Sequence, residues 1–175
     1  MGTGVKISRA LLDRLRNEAA AAGPLEICGL LVGRVGQIEK TVASSNLAAD
    51  PAQGFLLDPA TQIAVQRRAR EKGRTVLGCY HSHPSGDVRP SAKDAAQAEE
   101  EGALWLIVSR DAAALWIASK GGAVRGRFDA VALTFPSSPE PRLGDVRRKT
   151  ALPPQARPAN RDQDIPDRGP RHEIH

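Results

Sequence analysis

Proline is distributed so unevenly that it limits how much of the chain can fold. Eight of the 13 prolines fall in the last 40 of the 175 residues, from Pro136 onward. Such a stretch, with few large apolar side chains, cannot bury enough surface to offset the entropy of ordering the chain. We therefore expect one folded domain over residues 1–135 and a disordered tail over residues 136–175. Because His172 and His175 lie in that tail, they are poor candidates for a preorganised site.

Helix and strand signals alternate along residues 1–135. Helices are predicted between a capping residue and a glycine in three places, from Ser8 to Gly23, from Asp58 to Gly73 and from Ser91 to Gly102. Short apolar or alternating runs predict strands over residues 27–32, 37–43, 75–83, 104–108 and 114–118, with one or two more over 124–135. The alternation predicts a single mixed α/β domain, in which helices flank a sheet.

Cysteine content and apolar runs exclude several protein classes. Two cysteines without a CxxC pair are too few for a disulfide-rich secreted scaffold or a structural zinc site. The longest apolar run, Ala112–Ala118, is far shorter than the roughly 18 residues of a membrane helix. The charged N-terminus also lacks the apolar segment of a secretory signal. We therefore expect a cytoplasmic protein in which Cys28 and Cys79 are buried thiols.

The net charge of +5 is not concentrated in one place. The largest basic cluster is Arg147, Arg148 and Lys149, and residues 136–175 contain no aromatic side chain on which a base could stack. We therefore expect a solvated basic surface and no nucleic-acid partner.

The segment from His81 to Asp94 carries the residue types of a metal site. Alternate residues of a strand share a face, so His81 and His83 project from one side about 6.6 Å apart at Cα and can bind the same ion. Pro84 ends the strand, Ser91 opens a helix, and Asp94 in its first turn can approach the strand end. Two histidines and one carboxylate leave a fourth tetrahedral position for water, as in catalytic zinc sites.

Each of these residues also has a structural alternative. A lone histidine in a strand is more often a satisfied structural residue than a ligand, and Ser91-x-x-Asp94 matches a helix cap. The other two histidines of the chain lie in the tail, so the pairing of His81 with His83 beside an acid favours the metal site. The two roles are compatible, because Ser91 can cap the helix while its hydroxyl faces the metal.

Glu26 stands at the start of an apolar run, and two interpretations of it stay open. It is either exposed just before the strand, or buried there with a counter-ion or a proton-transfer role. Zinc lowers the pKa of water from about 15.7 to about 7, so a nearby carboxylate can deprotonate it at neutral pH. In the second interpretation Glu26 is the general base.

The combination of Glu26, His81-Ser82-His83-Pro84, Ser91 and Asp94 resembles the JAMM (MPN+) metalloprotease signature. Seven residues separate the second histidine from the serine, and two separate the serine from the aspartate, as in that pattern. The flanking run over residues 24–33 resembles that of the small prokaryotic members. The resemblance covers about residues 5–135 and implies a single MPN domain with a cytidine-deaminase-like fold.

The resemblance also implies a zinc peptidase or isopeptidase with one Zn²⁺ per chain. In such an enzyme His81, His83 and Asp94 bind the zinc. Glu26 activates the water and protonates the leaving amine, and Ser91 donates a hydrogen bond to the oxyanion. Cleavage follows the C-terminal Gly-Gly of a ubiquitin-like protein. Among bacterial members, the chain is most similar to those that release cysteine from ubiquitin-like sulfur-carrier proteins.

Substrate recognition and two alternative functions complete the expectations. We expect Phe55, in the loop over residues 46–57, to form one wall of a groove that admits a thin Gly-Gly segment, with simple loop packing as the alternative.

The loop over residues 83–87 also resembles the RadC family, which is linked by name to DNA repair. Many MPN domains resemble non-catalytic scaffolds. Salt-dependent DNA binding would indicate the first alternative, and absence of zinc would indicate the second.

Overall fold

The computed structural model describes residues 4–136, so the predicted tail lies outside the described residues except for Pro136. Its elements in chain order are β1 (Val5–Lys6), α1 (Arg9–Ala21), β2 (Cys28–Arg34), β3 (Gln37–Ser44), α2 (Pro59–Glu71), β4 (Thr75–Ser82), α3 (Ala92–Gln97), β5 (Leu104–Val108), β6 (Ala113–Gly122), β7 (Gly126–Val131) and β8 (Leu133–Thr134). The strands form a mixed sheet in the order β7-β6-β5-β4-β2-β3-β1-β8. The predicted α/β class is confirmed.

The two longer helices share buried clusters with different, alternating residues of β2. Ser8 caps α1 by accepting a hydrogen bond from the Leu11 amide at 3.1 Å, as its position predicted. Leu15 on α1 and Leu31 on β2 belong to one buried cluster, whereas Leu30 belongs to another cluster with residues of α2. Because neighbouring residues of a strand face opposite sides of the sheet, β2 contributes to an apolar core on each face of the sheet.

Strands β4, β2 and β5 position the functional residues at one edge of the sheet. Strands β4 and β5 are parallel, so their C-terminal ends meet at that edge, and His81 stands near the end of β4. Strand β2 is antiparallel to β4, and its first residue, Cys28, pairs with His81. The residues that precede β2, including Glu26, therefore reach the same edge.

Gly78 allows β4 and β5 to approach each other closely. Its φ is +148°, a conformation that side chains rarely adopt, and a Cβ there would lie 1.9 Å from the carbonyl oxygen of Leu104. This contact is with backbone, which cannot rotate away. Only glycine fits this position in the centre of the sheet.

The structure differs from the predictions mainly at the ends of elements. Helix α3 ends at Gln97, whereas the sequence predicted a helix continuing to Glu101. Glu99, Glu100 and Glu101 would carry three negative charges at the negative end of the helix dipole, which opposes the extra turn. Strand β1 was not predicted, because two residues carry no detectable periodicity. Within residues 4–136, no helix is long and apolar enough to cross a membrane.

Candidate metal centre

The three predicted metal ligands converge where β4 ends. The Nε2 atoms of His81 and His83 lie 3.0 Å apart. The Oδ1 atom of Asp94 lies 3.2 Å from Nε2 of His81, and its Oδ2 atom lies 3.4 Å from Nε2 of His83. All three side chains are buried. The structure thus brings together one ligand atom from each side chain in a group that suits a metal ion.

A capping box at the start of α3 points Asp94 back toward the strand. The Ser91 hydroxyl oxygen accepts a hydrogen bond from the Asp94 amide at 3.1 Å, and Oδ2 of Asp94 accepts one from the Ser91 amide at 2.6 Å. The predicted cap is therefore present. The carboxylate that closes it also faces both histidines, so a single side chain serves the cap and the centre.

The tautomer of His83 tests whether the centre fits a metal. Its Nδ1 lies 2.6 Å from the carbonyl oxygen of Asp87, which can only accept, so Nδ1 carries the proton. In the neutral ring Nε2 is then a lone pair that faces His81 and the Asp94 carboxylate. Histidine ligands are commonly oriented in this way, through a hydrogen bond from the other ring nitrogen to a carbonyl. Two imidazole nitrogens and one carboxylate oxygen fit a divalent ion such as zinc.

The charges of the three groups are set by burial and by their mutual hydrogen bonds. Burial lowers the pKa of His81 and keeps its ring neutral. Burial also disfavours charge on His83, but its hydrogen bonds to Asp94 and the Asp87 carbonyl outweigh this effect and raise its pKa. For Asp94, hydrogen bonds from both rings outweigh burial and hold its pKa well below the usual range. A cation would therefore meet an ionised Asp94.

Aromatic packing, rather than a hydrogen bond at Nδ1, helps to hold the ring of His81. Within the described residues, its buried Nδ1 has no hydrogen-bond partner. Phe55 stacks on the imidazole with ring centroids 4.3 Å apart, and Trp105 meets it edge-on at 5.9 Å. Phe55 is 4% exposed. It also meets Trp105 edge-on at 5.8 Å, so its ring packs in the core beside the centre, and its role in a substrate groove stays a prediction.

Glu26 lies beside the centre, with its backbone held on two sides. Its amide donates to the carbonyl of Pro51 at 2.8 Å, and its carbonyl accepts from the side chain of Asn46 at 2.9 Å. Burial raises the pKa of Glu26 from 4.5 to about 7, while the charge of nearby His83 lowers it and that of Asp94 raises it. The half-buried carboxyl therefore titrates near neutral pH, close to the predicted ligands. Asn46 was not predicted, because only the fold shows what its amide binds.

Two surface cavities flank His83. One, of about 360 Å³, lies between the end of α1, the end of β4 and the β5–β6 turn, where Arg110 and Asp111 line it. The other, of about 450 Å³, is lined by Asp87, Ser91 and residues 123–125, and also by Arg89. The sequence predicted none of the arginines, because 25 basic residues offer no basis for choosing among them.

Cys28 and Cys79 are buried free thiols on adjacent strands, as expected. Burial raises the pKa of Cys28 to about 11, and burial also raises that of Cys79 well above its usual range. Both sulfurs are therefore protonated at neutral pH and do not act as nucleophiles.

Comparison with known proteins identifies a family and named relatives. A family model described as prokaryotic homologs of the JAB domain matches residues 8–121. The chain is 36% identical over 104 residues to a protein of Haloferax volcanii named desampylase, covering 58% of this chain and 75% of that protein. It is 30% identical over 97 residues to a Thermus thermophilus protein named probable TtuB-protein conjugate cleaving protease, covering 55% of this chain and 65% of that protein.

A solved structure is also similar in fold. The JAB1/MPN domain protein AF2198 from Archaeoglobus fulgidus has a TM-score of 0.51 and 23% identity, covering 77% of this chain and 99% of that one. This likeness concerns the fold alone, and it agrees with the predicted MPN domain.

Proposed function

The chain belongs to the prokaryotic JAB-domain (JAMM) family and is a hydrolase of the protease class; on that premise we propose that it cleaves ubiquitin-like protein conjugates. In finer terms, we propose zinc-dependent hydrolysis of the bond that follows the C-terminal Gly-Gly of a sulfur-carrier type protein. The observation that carries this proposal is the buried group of His81, His83 and Asp94, with Glu26 beside it. The relatives' names, which include a protease for TtuB-protein conjugates, support the substrate class.

In this proposal His81, His83 and Asp94 hold the zinc. When bound, zinc supplies Lewis acidity, which polarises a carbonyl and lowers the pKa of water. Ionised Asp94 and the lone pair on Nε2 of His83 suit this role, because hydrogen bonds with the Ser91 amide and the Asp87 carbonyl orient these two side chains into the group. Phe55 keeps the His81 ring in the same group by stacking.

Glu26 is the proposed general base. Its carboxylate accepts a proton from the attacking water and then delivers that proton to the leaving amine nitrogen. A pKa of about 7 suits both steps, because a group that titrates near the working pH can accept and return a proton. The backbone hydrogen bonds to Pro51 and Asn46 hold the residue in place beside the centre.

Ser91 is the proposed donor to the oxyanion. Its hydroxyl oxygen already accepts a hydrogen bond from the Asp94 amide, so the hydroxyl proton is available for another acceptor. The residue lines the cavity of about 450 Å³ next to His83. A donor held there stabilises negative charge on the scissile carbonyl oxygen without reorganising during the reaction.

The proposal is tested with a sulfur-carrier protein that bears one extra residue after Gly-Gly. We expect zinc-loaded enzyme to remove that residue, as measured by intact mass, and the Glu26→Gln variant to bind zinc without turnover. Zinc content is measured in parallel by elemental analysis. Cleavage by the variant at the normal rate would show that the base is assigned wrongly. If zinc-loaded enzyme cleaves neither this protein nor a lysine-linked conjugate, the proposed function is wrong.

A further inference from the structure

The two cavities that flank His83 differ in charge. The cavity beside the β5–β6 turn carries one arginine and one aspartate, Arg110 and Asp111. The other carries two arginines, Arg89 and Arg125, with one aspartate, Asp87. Only the second cavity therefore has an excess of positive charge in its lining. Because Ser91 also lines it, an anion bound there lies beside the proposed oxyanion donor.

Neither arginine of the second cavity is neutralised within residues 4–136. No carboxylate there lies within salt-bridge distance of the Arg89 or Arg125 guanidinium. The Asp87 carboxylate instead accepts a hydrogen bond from the Arg89 backbone amide at 2.9 Å. Apart from Nε of Arg125, the guanidinium donors of both side chains thus have no described partner and can serve another acceptor.

The backbone at Arg125 is held in an unusual conformation. Its φ of 54° is the only positive value at a non-glycine position in the described part of the chain. The Nε atom donates to the carbonyl of Pro90 at 2.8 Å, which fixes the guanidinium next to the loop that carries Ser91. Its terminal nitrogens have no described partner, and a fork of two N–H donors matches the geometry of a carboxylate. Strain of this kind is often found at ligand sites.

We propose that Arg89 and Arg125 bind the α-carboxylate of a single residue joined to the Gly-Gly terminus, and so make one-residue extensions the preferred substrates. The inference rests on the proposed function and adds its leaving-group specificity. In a one-residue extension the carboxylate is separated from the scissile nitrogen by one carbon. In a lysine-linked conjugate the corresponding position is a methylene chain, which offers nothing for the two guanidinium groups to bind.

The test compares three substrates that differ only after Gly-Gly: an alanine with a free carboxylate, an alanine carboxamide, and the ε-amine of a lysine within a peptide. The variants are Arg89→Gln and Arg125→Gly. Glycine accepts a positive φ, so the second variant removes the guanidinium without straining the turn. Arg68→Gln is the matched control, because Arg68 is exposed on α2 and lines neither cavity.

We expect wild-type enzyme to favour the carboxylate over the carboxamide by at least about tenfold in kcat/KM, the scale of one charge-assisted hydrogen bond. Each variant should lose about tenfold on the carboxylate, through KM rather than kcat, and change little on the other two substrates. In a Glu26→Gln background, which we expect not to turn over, the Kd for the carboxylate substrate should rise by the same factor. The Arg68→Gln control should match wild type throughout.

Three results would overturn the inference. If wild type cleaves carboxylate and carboxamide equally, or if the variants lose the same factor on both, the arginines do not bind the carboxylate, while the proposed function stands. If zinc-loaded wild type cleaves none of the three substrates, the inference and the proposed function fall together.

Discussion

Replacing Glu26 by glutamine should change how the stability of the metal-free protein depends on pH. Burial raises the pKa of Glu26 from 4.5 to about 7. The folded protein therefore holds a proton that the unfolded chain releases, and wild type loses stability as the pH rises from about 4.5 through 7. Glutamine carries no charge at any pH and avoids this loss. The difference between variant and wild type should be near zero at pH 4.5 and complete at pH 8.

The size of the effect follows from the difference of about 2.5 between the two pKa values. At about 1.36 kcal/mol per pH unit this difference corresponds to about 3.4 kcal/mol. Because the carboxyl is only half buried, solvent screening reduces it by slightly more than half, to about 1.5 kcal/mol. We therefore expect Glu26→Gln to be more stable than wild type by about 1.5 kcal/mol at pH 8.

Urea unfolding in the presence of a chelator measures this difference directly. Free energies of unfolding are compared at pH 4.5 and pH 8 for wild type, Glu26→Gln and the control Glu71→Gln, which changes an exposed glutamate on α2. The control should track wild type at both values. If the difference in unfolding free energy between Glu26→Gln and wild type is equal at the two pH values, or larger at pH 4.5, burial of the Glu26 carboxyl is not its cause.

Three further predictions concern the centre and the sheet. Asp94→Ala should lose bound zinc and also destabilise the protein by about 1 kcal/mol, because the cap loses its carboxylate; elemental analysis and urea unfolding measure the two effects. Phe55→Ala should lower the zinc affinity, measured by chelator competition, by a larger factor than it raises KM. A larger factor in KM would favour a groove role. Gly78→Ala should cost about 3 kcal/mol or prevent folding, and wild-type thermal stability would contradict the close approach to Leu104.

The sequence predicted that His81, His83 and Asp94 come together because the determinants of this grouping are local. The period of a strand places His81 and His83 on one side, and the first turn of a helix places Asp94, so neither step requires knowledge of distant contacts. Glu26 is different. Its place beside the centre depends on the pairing of Cys28 with His81 across two strands, which no short pattern encodes. For that reason the sequence left its exposed and buried interpretations open.

Long-range contacts also explain what the sequence did not reveal. The ring of His81 is held by Phe55, which comes from a distant loop, and nothing in that loop's composition indicates the stacking. The charged cavity combines Arg89 with Arg125 from the β6–β7 turn, and only the fold brings them to one side of His83. The RadC-like alternative stays a prediction, for which salt-dependent DNA binding is the test.

The short segment that carries all three proposed ligands has a consequence for the order of folding events. Residues 81–94 close a small loop, whose entropic cost is modest, whereas Glu26 joins them only after β2 has paired with β4 across about fifty residues. A refolding chain can therefore capture metal before its base arrives. In a refolding time course, metal uptake should precede the return of turnover, and the lag between them would report the docking of β2.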